Sequence, residues 1–308
     1  MSTNKDELLI PNYMDEMVTK AKKAQKEFER NYVTQRSVDE VVRAVGMAIG
    51  KYAQELSSKA VSETGMGNVE GKMYKLMGVS GNLWNFMKGK KSVGVIDDYS
   101  EPGIKIIAKP LGVIGCVMPS TNPLATIIGN TMMALKCRNA VIIAPHPASA
   151  NVSELAVNYI RSALAEISAP VDLIQCIGVE EASIEATQEM LKQCDANIAT
   201  GGAGMVKSVY SAGRPAFGVG QGNCQEIIDI DFTNLDAVAK ASISNRSFDL
   251  GVPCTGDQTM HIPAEREKEY LDAMTKNGAY LIKEIEQINK IRELLFPNGS
   301  LAINRELV

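Results

Sequence analysis

The sequence has no C-x-x-C pair, and its two histidines, His146 and His261, stand in no H-E-x-x-H or similar spacing. The usual zinc and dithiol frameworks are therefore missing, which argues against a metal enzyme. No apolar run is long enough to cross a bilayer. Neither sign of charge dominates: 32 Lys and Arg mix with 36 Asp and Glu for a net charge of −4. That leaves no electrostatic case for a nucleic-acid or membrane partner. The short basic run Lys88, Lys90, Lys91 reads as a solvated turn. The start, MSTNKDELLIPNYMDEM, lacks a positive n-region and an apolar h-region, so it does not read as a secretory signal, and a cytoplasmic placement is expected. In that setting most of the six cysteines (Cys116, Cys137, Cys176, Cys194, Cys224, Cys254) should be reduced, packed and inert.

What is present is an ordinary globular composition, 45% hydrophobic over 308 residues, which is enough for two domains. The first part reads as helical. Ser37-Val38-Asp39-Glu40 has the form of a capping box, and Val38, Val41, Val42, Val45, Ile49, Tyr52, Ala53 and Leu56 fall on one helix face. Gly65 is the expected stop. A second helix runs from about Gly71 to the Gly89 region and carries the single tryptophan, Trp84.

At about residue 92 the period changes. Ser92–Ile96 and Ile104–Ala108, around a polar turn at Asp97–Gly103, read as a β-hairpin. Its β-branched edge suits pairing with another subunit. From Leu111 short apolar runs (Gly112–Met118, Ala140–Ala144, Val171–Ile177, Ala196–Ala199, Ala216–Val219) alternate with helical stretches (Pro123–Lys136, Ser149–Ile167, Ser183–Gln193, Gly204–Ser211). This alternation predicts an α/β fold with a doubly wound, Rossmann-like parallel sheet. Residues 1–221 thus form one domain, with N-terminal helices and a bridging hairpin at about 91–110. Residues 222–308 begin a second α/β unit: a strand at Glu226–Asp229, a helix at Leu235–Ser242, a loop at Ser247–Thr255, a strand near Thr259–Ile262 and a helix at Glu265–Lys276.

Doubly wound sheets bind ligands at the carboxyl ends of their strands, and three such ends carry unusual residues. Met118-Pro-Ser-Thr-Asn122-Pro123 places Asn122 at a helix start. There it is either a plain cap or an amide donating into a cleft, as an oxyanion hole requires. Pro145-His146-Pro147 fixes a histidine at a strand end. Ala199-Thr-Gly-Gly-Ala-Gly204 opens a helix whose N-terminus favours an anion such as a pyrophosphate, although G-x-G-x-x-G is absent after the first strand. Cys254 sits among glycines and a proline in Ser247-Phe-Asp-Leu-Gly-Val-Pro-Cys254-Thr-Gly. A loop thiol there can be partly exposed and reactive, but spacing alone does not single it out from the other five.

Taken together, Pro119–Pro123, Pro145–Pro147, Thr200-Gly-Gly-Ala-Gly204-Met-Val-Lys207, Gly218-Val-Gly-Gln-Gly222-Asn and Phe248–Cys254 resemble the aldehyde dehydrogenase superfamily, specifically its CoA-acylating branch. The resemblance runs in order over essentially the whole chain. It implies that residues 1–221 bind NAD, with NADP as the alternative, and that residues 222–308 are a catalytic domain, incomplete because family members continue past Val308. It also implies that Cys254 attacks the aldehyde, with the Asn122 amide and the Cys254 N–H holding the oxyanion. A thioester then passes to CoA. Pro145, His146, Pro147, Thr200, Gly201, Gly202, Gly218 and Gly220 are the implied cofactor-binding residues, His146 standing where many hydrolytic members have a lysine.

Hydrolytic members carry a glutamate base where this chain has Gly218. Without that base water is weakly activated, whereas an incoming thiol needs less help. This favours CoA and implies that Gly218→Glu gains hydrolysis. The branch usually reads Asp-Asn-Gly-x-Ile-Cys, but Leu250 and Pro253 depart from it, and Pro253 should hold Val252 extended. The residues do not select among acetaldehyde, propanal, succinate semialdehyde and sulfoacetaldehyde, the substrates of similar chains, although these departures and the Trp84 region are compatible with an anionic short aldehyde. Other readings are a truncated, non-catalytic remnant that binds nucleotide or a partner, and a hydrolytic aldehyde dehydrogenase. A homo-oligomer is implied, as is a bacterial microcompartment as the alternative to free cytoplasm.

Overall fold

The computed structural model describes residues 3–98, 103–300 and 304, so most of the turn expected at Asp97–Gly103 lies outside the described residues. The chain forms two compact units. One takes the chain through Thr64 and then Lys72–Gln221. The other takes the short segment Gly65–Gly71 and the chain from Gly222 onward.

In the first unit, α1 (Thr3–Asn31) buries Met14, Met17, Val18, Ala21, Ala24 and Phe28, an apolar stripe at helical spacing. Helix α2 (Gln35–Lys51) starts one turn fragment earlier than the Ser37 box suggested: Thr34 is the cap, extended, with its side chain accepting from the Ser37 N–H. The correction has a simple cause. Ser37 turns its own hydroxyl back to the Thr34 carbonyl, and Glu40, the second member of the box, accepts from Arg36 Nε at 3.0 Å. Helix α3 (Ala53–Thr64) ends at Gly65, which takes φ +67°. Helix α4 (Val69–Met87) follows, and the lysines after it lie exposed, as a solvated turn should.

The hairpin pairs β1 (Gly94–Asp98) antiparallel to β2 (Lys105–Ala108). Five parallel strands then form the sheet: β3 (Val113–Val117), β4 (Ala140–Ala144), β5 (Ile174–Cys176), β6 (Ala196–Thr200) and β7 (Ala216–Val219), in the order β5-β4-β3-β6-β7. The doubly wound arrangement is the one the alternating runs required. The apolar run at Val171–Ile177 is shorter as a strand than expected, because Val171–Leu173 makes a tight 3-10 turn. β3 and β4 are buried along their whole length. Helices α1 and α7 (Ile184–Gln193) cover one side of them, while α5 (Pro123–Lys136) packs against β3 and β4 and α6 (Ala150–Glu166) against β5, with α2 against both helices. Helix α8 (Ala203–Tyr210) packs on β6 and β7.

The second unit holds β8 (Cys224–Ile227) parallel to β9 (Asp257–His261), with α9 (Leu235–Ser247), α10 (Glu267–Lys276) and α11 (Ile285–Leu295). Its core is small: Ile228, Leu235 and Tyr270 are buried, with Val238, Met260 and Ile262 against them. No described helix is long and apolar enough to cross a membrane.

Candidate active site

In the first unit the sheet brings the three unusual strand ends to one edge. Val117 pairs with Ala144 on one side and Ala199 on the other, and Ala199 pairs with Gly218. The loops beginning at Met118, Pro145, Gly201 and Gly220 therefore leave the sheet in the same direction. The chain winds outward from β3 to β4 and β5, then returns to β3's other side at β6. This reversal is where open α/β sheets form a ligand crevice.

Asn122 occupies the cap position before α5, and Pro123 takes the first helical residue. Its side chain nevertheless makes no capping hydrogen bond. The plain-cap reading thus fails on geometry. The amide oxygen instead accepts from the ammonium of Lys75 on α4, and Lys72, one turn earlier on the same helix face, reaches the Thr121 carbonyl at 3.5 Å.

His146 adopts an extended backbone and its Nδ1 accepts the Ala148 N–H at 3.1 Å, starting the short 3-10 turn Pro147–Ser149. A backbone N–H can only donate, so in the neutral ring Nε2 carries the proton. His146 therefore presents a donor at Nε2, as a lysine would. Around α8, the Gly201 N–H is spent on the Val219 carbonyl at 3.0 Å. Gly202 caps the helix without a side chain, and the space where its Cβ would stand is open. The cradle fits a phosphate approaching the helix N-terminus.

Gly218 is a different case. A Cβ there would lie 2.8 Å from Tyr210 Cε2 and 2.9 Å from Val206 Cγ1, and the Gly218 N–H donates to the Tyr210 hydroxyl at 3.0 Å. The space that a side chain would need is already filled. The expectation that Gly218→Glu simply gains a base is revised accordingly.

In the second unit Cys254 is exposed, in the loop between α9 and β9. The loop is shaped by three consecutive left-handed residues, Asp249 (φ +47°), Leu250 (φ +56°) and Gly251 (φ +76°). They force a correction at Val252, which is helical (φ −66°, ψ −35°) and not extended as Pro253 alone would dictate. Its N–H closes the turn on the Asp249 carbonyl at 3.2 Å, and this tertiary constraint overrides the local preference. A second turn, Gly256 N–H to the Pro253 carbonyl, carries Cys254 and Thr255 at its tip.

The loop is held from beneath. Asp249 is 2% exposed and accepts the Asn68 N–H at 2.7 Å, while Asn68 in turn accepts the Gly71 N–H at 2.7 Å. The guanidinium of Arg246 donates to the Gly251 carbonyl and Asn245 accepts the Asp257 N–H. Gly222 passes so close that a Cβ on it would stand 2.9 Å from the Cys254 carbonyl oxygen. Cys224, on β8, points its thiol at the same oxygen.

Desolvation marks out four of the other cysteines. Desolvation pushes the thiols of Cys116 and Cys176 far above their usual range, that of Cys194 up to about 12, and raises Cys137 as well. Such groups stay protonated and poorly nucleophilic.

The sequence reading missed Lys75, Tyr210, Asp249 and Arg246. The only signal for Lys75 was its three-residue spacing from Lys72; nothing local marked the others.

The first unit is a doubly wound parallel sheet with a glycine-rich turn before α8, and the second unit carries an exposed loop thiol. The chain belongs to the aldehyde dehydrogenase family, whose profile matches residues 11–284. It is 40% identical over 286 residues to a succinate-semialdehyde dehydrogenase (acetylating) of Clostridium kluyveri, covering 93% of this chain and 62% of that protein. Among solved structures it is similar to an acetylating aldehyde dehydrogenase from Geobacillus thermoglucosidasius (TM-score 0.90, 32% identity, 99% of this chain and 66% of that one). It is also similar to a Rhodopseudomonas palustris propionaldehyde dehydrogenase with bound CoA and an acylated cysteine (TM-score 0.81, 30% identity, 92% of this chain and 64% of that one). The chain thus spans under two thirds of the length of these relatives.

Proposed function

We propose that the protein is part of a CoA-acylating aldehyde dehydrogenase, with Cys254 as nucleophile. The Cys254 thiolate adds to the aldehyde carbon, and the Asn122 amide and the Cys254 backbone N–H are the assigned donors to the oxyanion that forms. NAD or NADP, when bound, supplies the hydride acceptor. The residues assigned to hold it are Pro145, His146 and Pro147 beside the ribose, Thr200, Gly201 and Gly202 along the phosphates, and Gly218 and Gly220 at the next strand end. The open cradle at Gly202 supports this assignment. In the last step the CoA thiol attacks the Cys254 thioester, the bond to Cys254 breaks, and the enzyme thiol is restored.

The observation that carries the choice of CoA over water is Gly218, where Tyr210 and Val206 fill the space of a base. The printed names of the relatives support a short aldehyde, and that of the Clostridium kluyveri protein an anionic one. The exposed apolar residues of the hairpin, Val95, Ile106 and Ile107, suit pairing with another copy of the chain, and a cytoplasmic or microcompartment location fits the same reading.

The test is NADH formation from short aldehydes with and without CoA, in the protein and in Cys254→Ala. Turnover that requires CoA and Cys254 is the expected result. CoA-independent turnover to a carboxylate would instead identify a hydrolytic enzyme, and absence of any NADH burst would leave a nucleotide-binding remnant.

A further inference from the structure

The hydrogen bond between Lys75 and Asn122 has a direction that chemistry dictates. An ammonium has three donors and no acceptor. The edge of the Asn122 amide that faces it must therefore be the carbonyl oxygen, and the NH2 edge must face away from Lys75. A terminal amide is otherwise close to symmetric in shape, so a neighbour able only to donate is what distinguishes its two orientations. Asn122 does not gain this order from its own helix, because its side chain makes no capping bond there. The loop backbone is tied down independently: the Asn122 carbonyl accepts from both the Thr126 N–H at 3.2 Å and the Thr126 hydroxyl at 2.7 Å. The backbone is thus fixed by α5, while the side-chain torsion is fixed from α4.

From this geometry we infer that Lys75 is a positioning residue that fixes the Asn122 amide with its NH2 edge available as a donor. The inference rests on the proposed role of Asn122 as an oxyanion donor. A cation on the amide oxygen does two things for that role. It removes the flipped orientation, in which a carbonyl oxygen would meet the developing negative charge. It also draws electron density from the amide nitrogen, which strengthens the hydrogen bonds that its N–H groups donate. Lys75 acts only through Asn122 and need not touch the substrate.

The test separates reactions that build an oxyanion from one that does not. Acylation of Cys254 by p-nitrophenyl acetate passes through a tetrahedral oxyanion; alkylation by iodoacetamide does not. Both are followed by intact mass, with Cys254→Ala as the control. In Lys75→Met, acylation is expected to fall about tenfold or more, a share of the roughly hundredfold loss typical of deleting a whole oxyanion donor, while alkylation stays within about twofold. Lys75→Arg, also a donor-only cation, should restore most of the rate. In an Asn122→Ala background Lys75→Met should cost almost nothing further, as befits two residues acting as one unit. A second readout needs no acylation: the Asn122 side-chain NH2 signals, identified by their loss in Asn122→Ala, should shift in Lys75→Met and much less in Lys75→Arg. Unchanged acylation or unshifted NH2 signals in Lys75→Met would overturn the assignment, as would a full loss that persists without Asn122. If Cys254 of the unaltered protein alkylates but never acylates, the proposed function itself fails and takes this assignment with it.

Discussion

The Tyr210 hydroxyl accepts the Gly218 N–H at 3.0 Å, and the edge of the same ring stands 2.8 Å from where a side chain at 218 would begin. One residue therefore both satisfies the glycine's backbone and denies it a side chain. Gly218→Glu alone is expected to displace the exposed Tyr210 ring and break its hydrogen bond with the Gly218 N–H, at a cost of about 1 kcal/mol, and to gain no CoA-independent hydrolysis. Clearing the space with Tyr210→Ala and Val206→Ala should let the same glutamate act on water. Thermal melts and carboxylate analysis check both halves; a stable, hydrolytic single variant would show that the ring is no barrier.

Leu250 holds φ +56° while most of its side chain is in solvent. A left-handed backbone costs an L-residue roughly 1–2 kcal/mol, and asparagine bears it better than leucine. Leu250→Asn should therefore raise stability by up to about 1 kcal/mol, measured by urea denaturation. A loss of stability would mean that leucine has a packing role that outweighs the strain.

At Gly222 the close approach is to the backbone of Cys254, 2.9 Å from its carbonyl oxygen for an added Cβ. Gly222→Ala should push the loop outward. The expected signature is slower iodoacetamide alkylation of Cys254 or a changed selectivity among the six thiols, with a stability loss of about 1–3 kcal/mol. Alkylation indistinguishable from that of the parent would show that the loop yields without consequence.

The buried thiols set a pH dependence. In the folded protein burial raises the Cys194 thiol from its ordinary 9.0 to about 12, and Cys116 and Cys176 move in the same direction. Between those values the unfolded chain has released protons that the folded chain keeps, so stability is complete below pH 9 and falls as pH rises through this window. Urea midpoints taken from about pH 8 to about pH 11 should decline, and Cys194→Ala should flatten part of the slope. An unchanged slope would place the alkaline loss elsewhere.

Where physics is local, the sequence was readable. β3 and β4 are covered on both sides, so they appear as uninterrupted apolar runs, and α5 announces itself through Pro123 at its first turn. Cys254 could be placed on a loop because glycines and a proline surround it. Where a distant partner decides, local signals misled or fell silent. Ser37 looked like a cap, yet Thr34 holds that position; Pro253 argued for an extended Val252, yet the turn closed from Asp249 makes it helical. Lys75 lies 47 residues from Asn122, and no periodicity in either segment ties the two together. Their pairing exists only once helix and sheet have folded.

Asn68 precedes Asp249 by 181 residues, and this separation bears on the order in which the chain acquires its parts. During synthesis the Gly65–Gly71 segment emerges long before the residues that will bind it. The contact that anchors the Cys254 loop belongs among the last to form, since closing so long a span is slow. A piece of the protein beginning at Gly222 would carry Asp249 without the Asn68 amide it accepts and without Gly67 and Gly71, which lie against it. The Cys254 loop is thus set in place late, by a short stretch of chain made early.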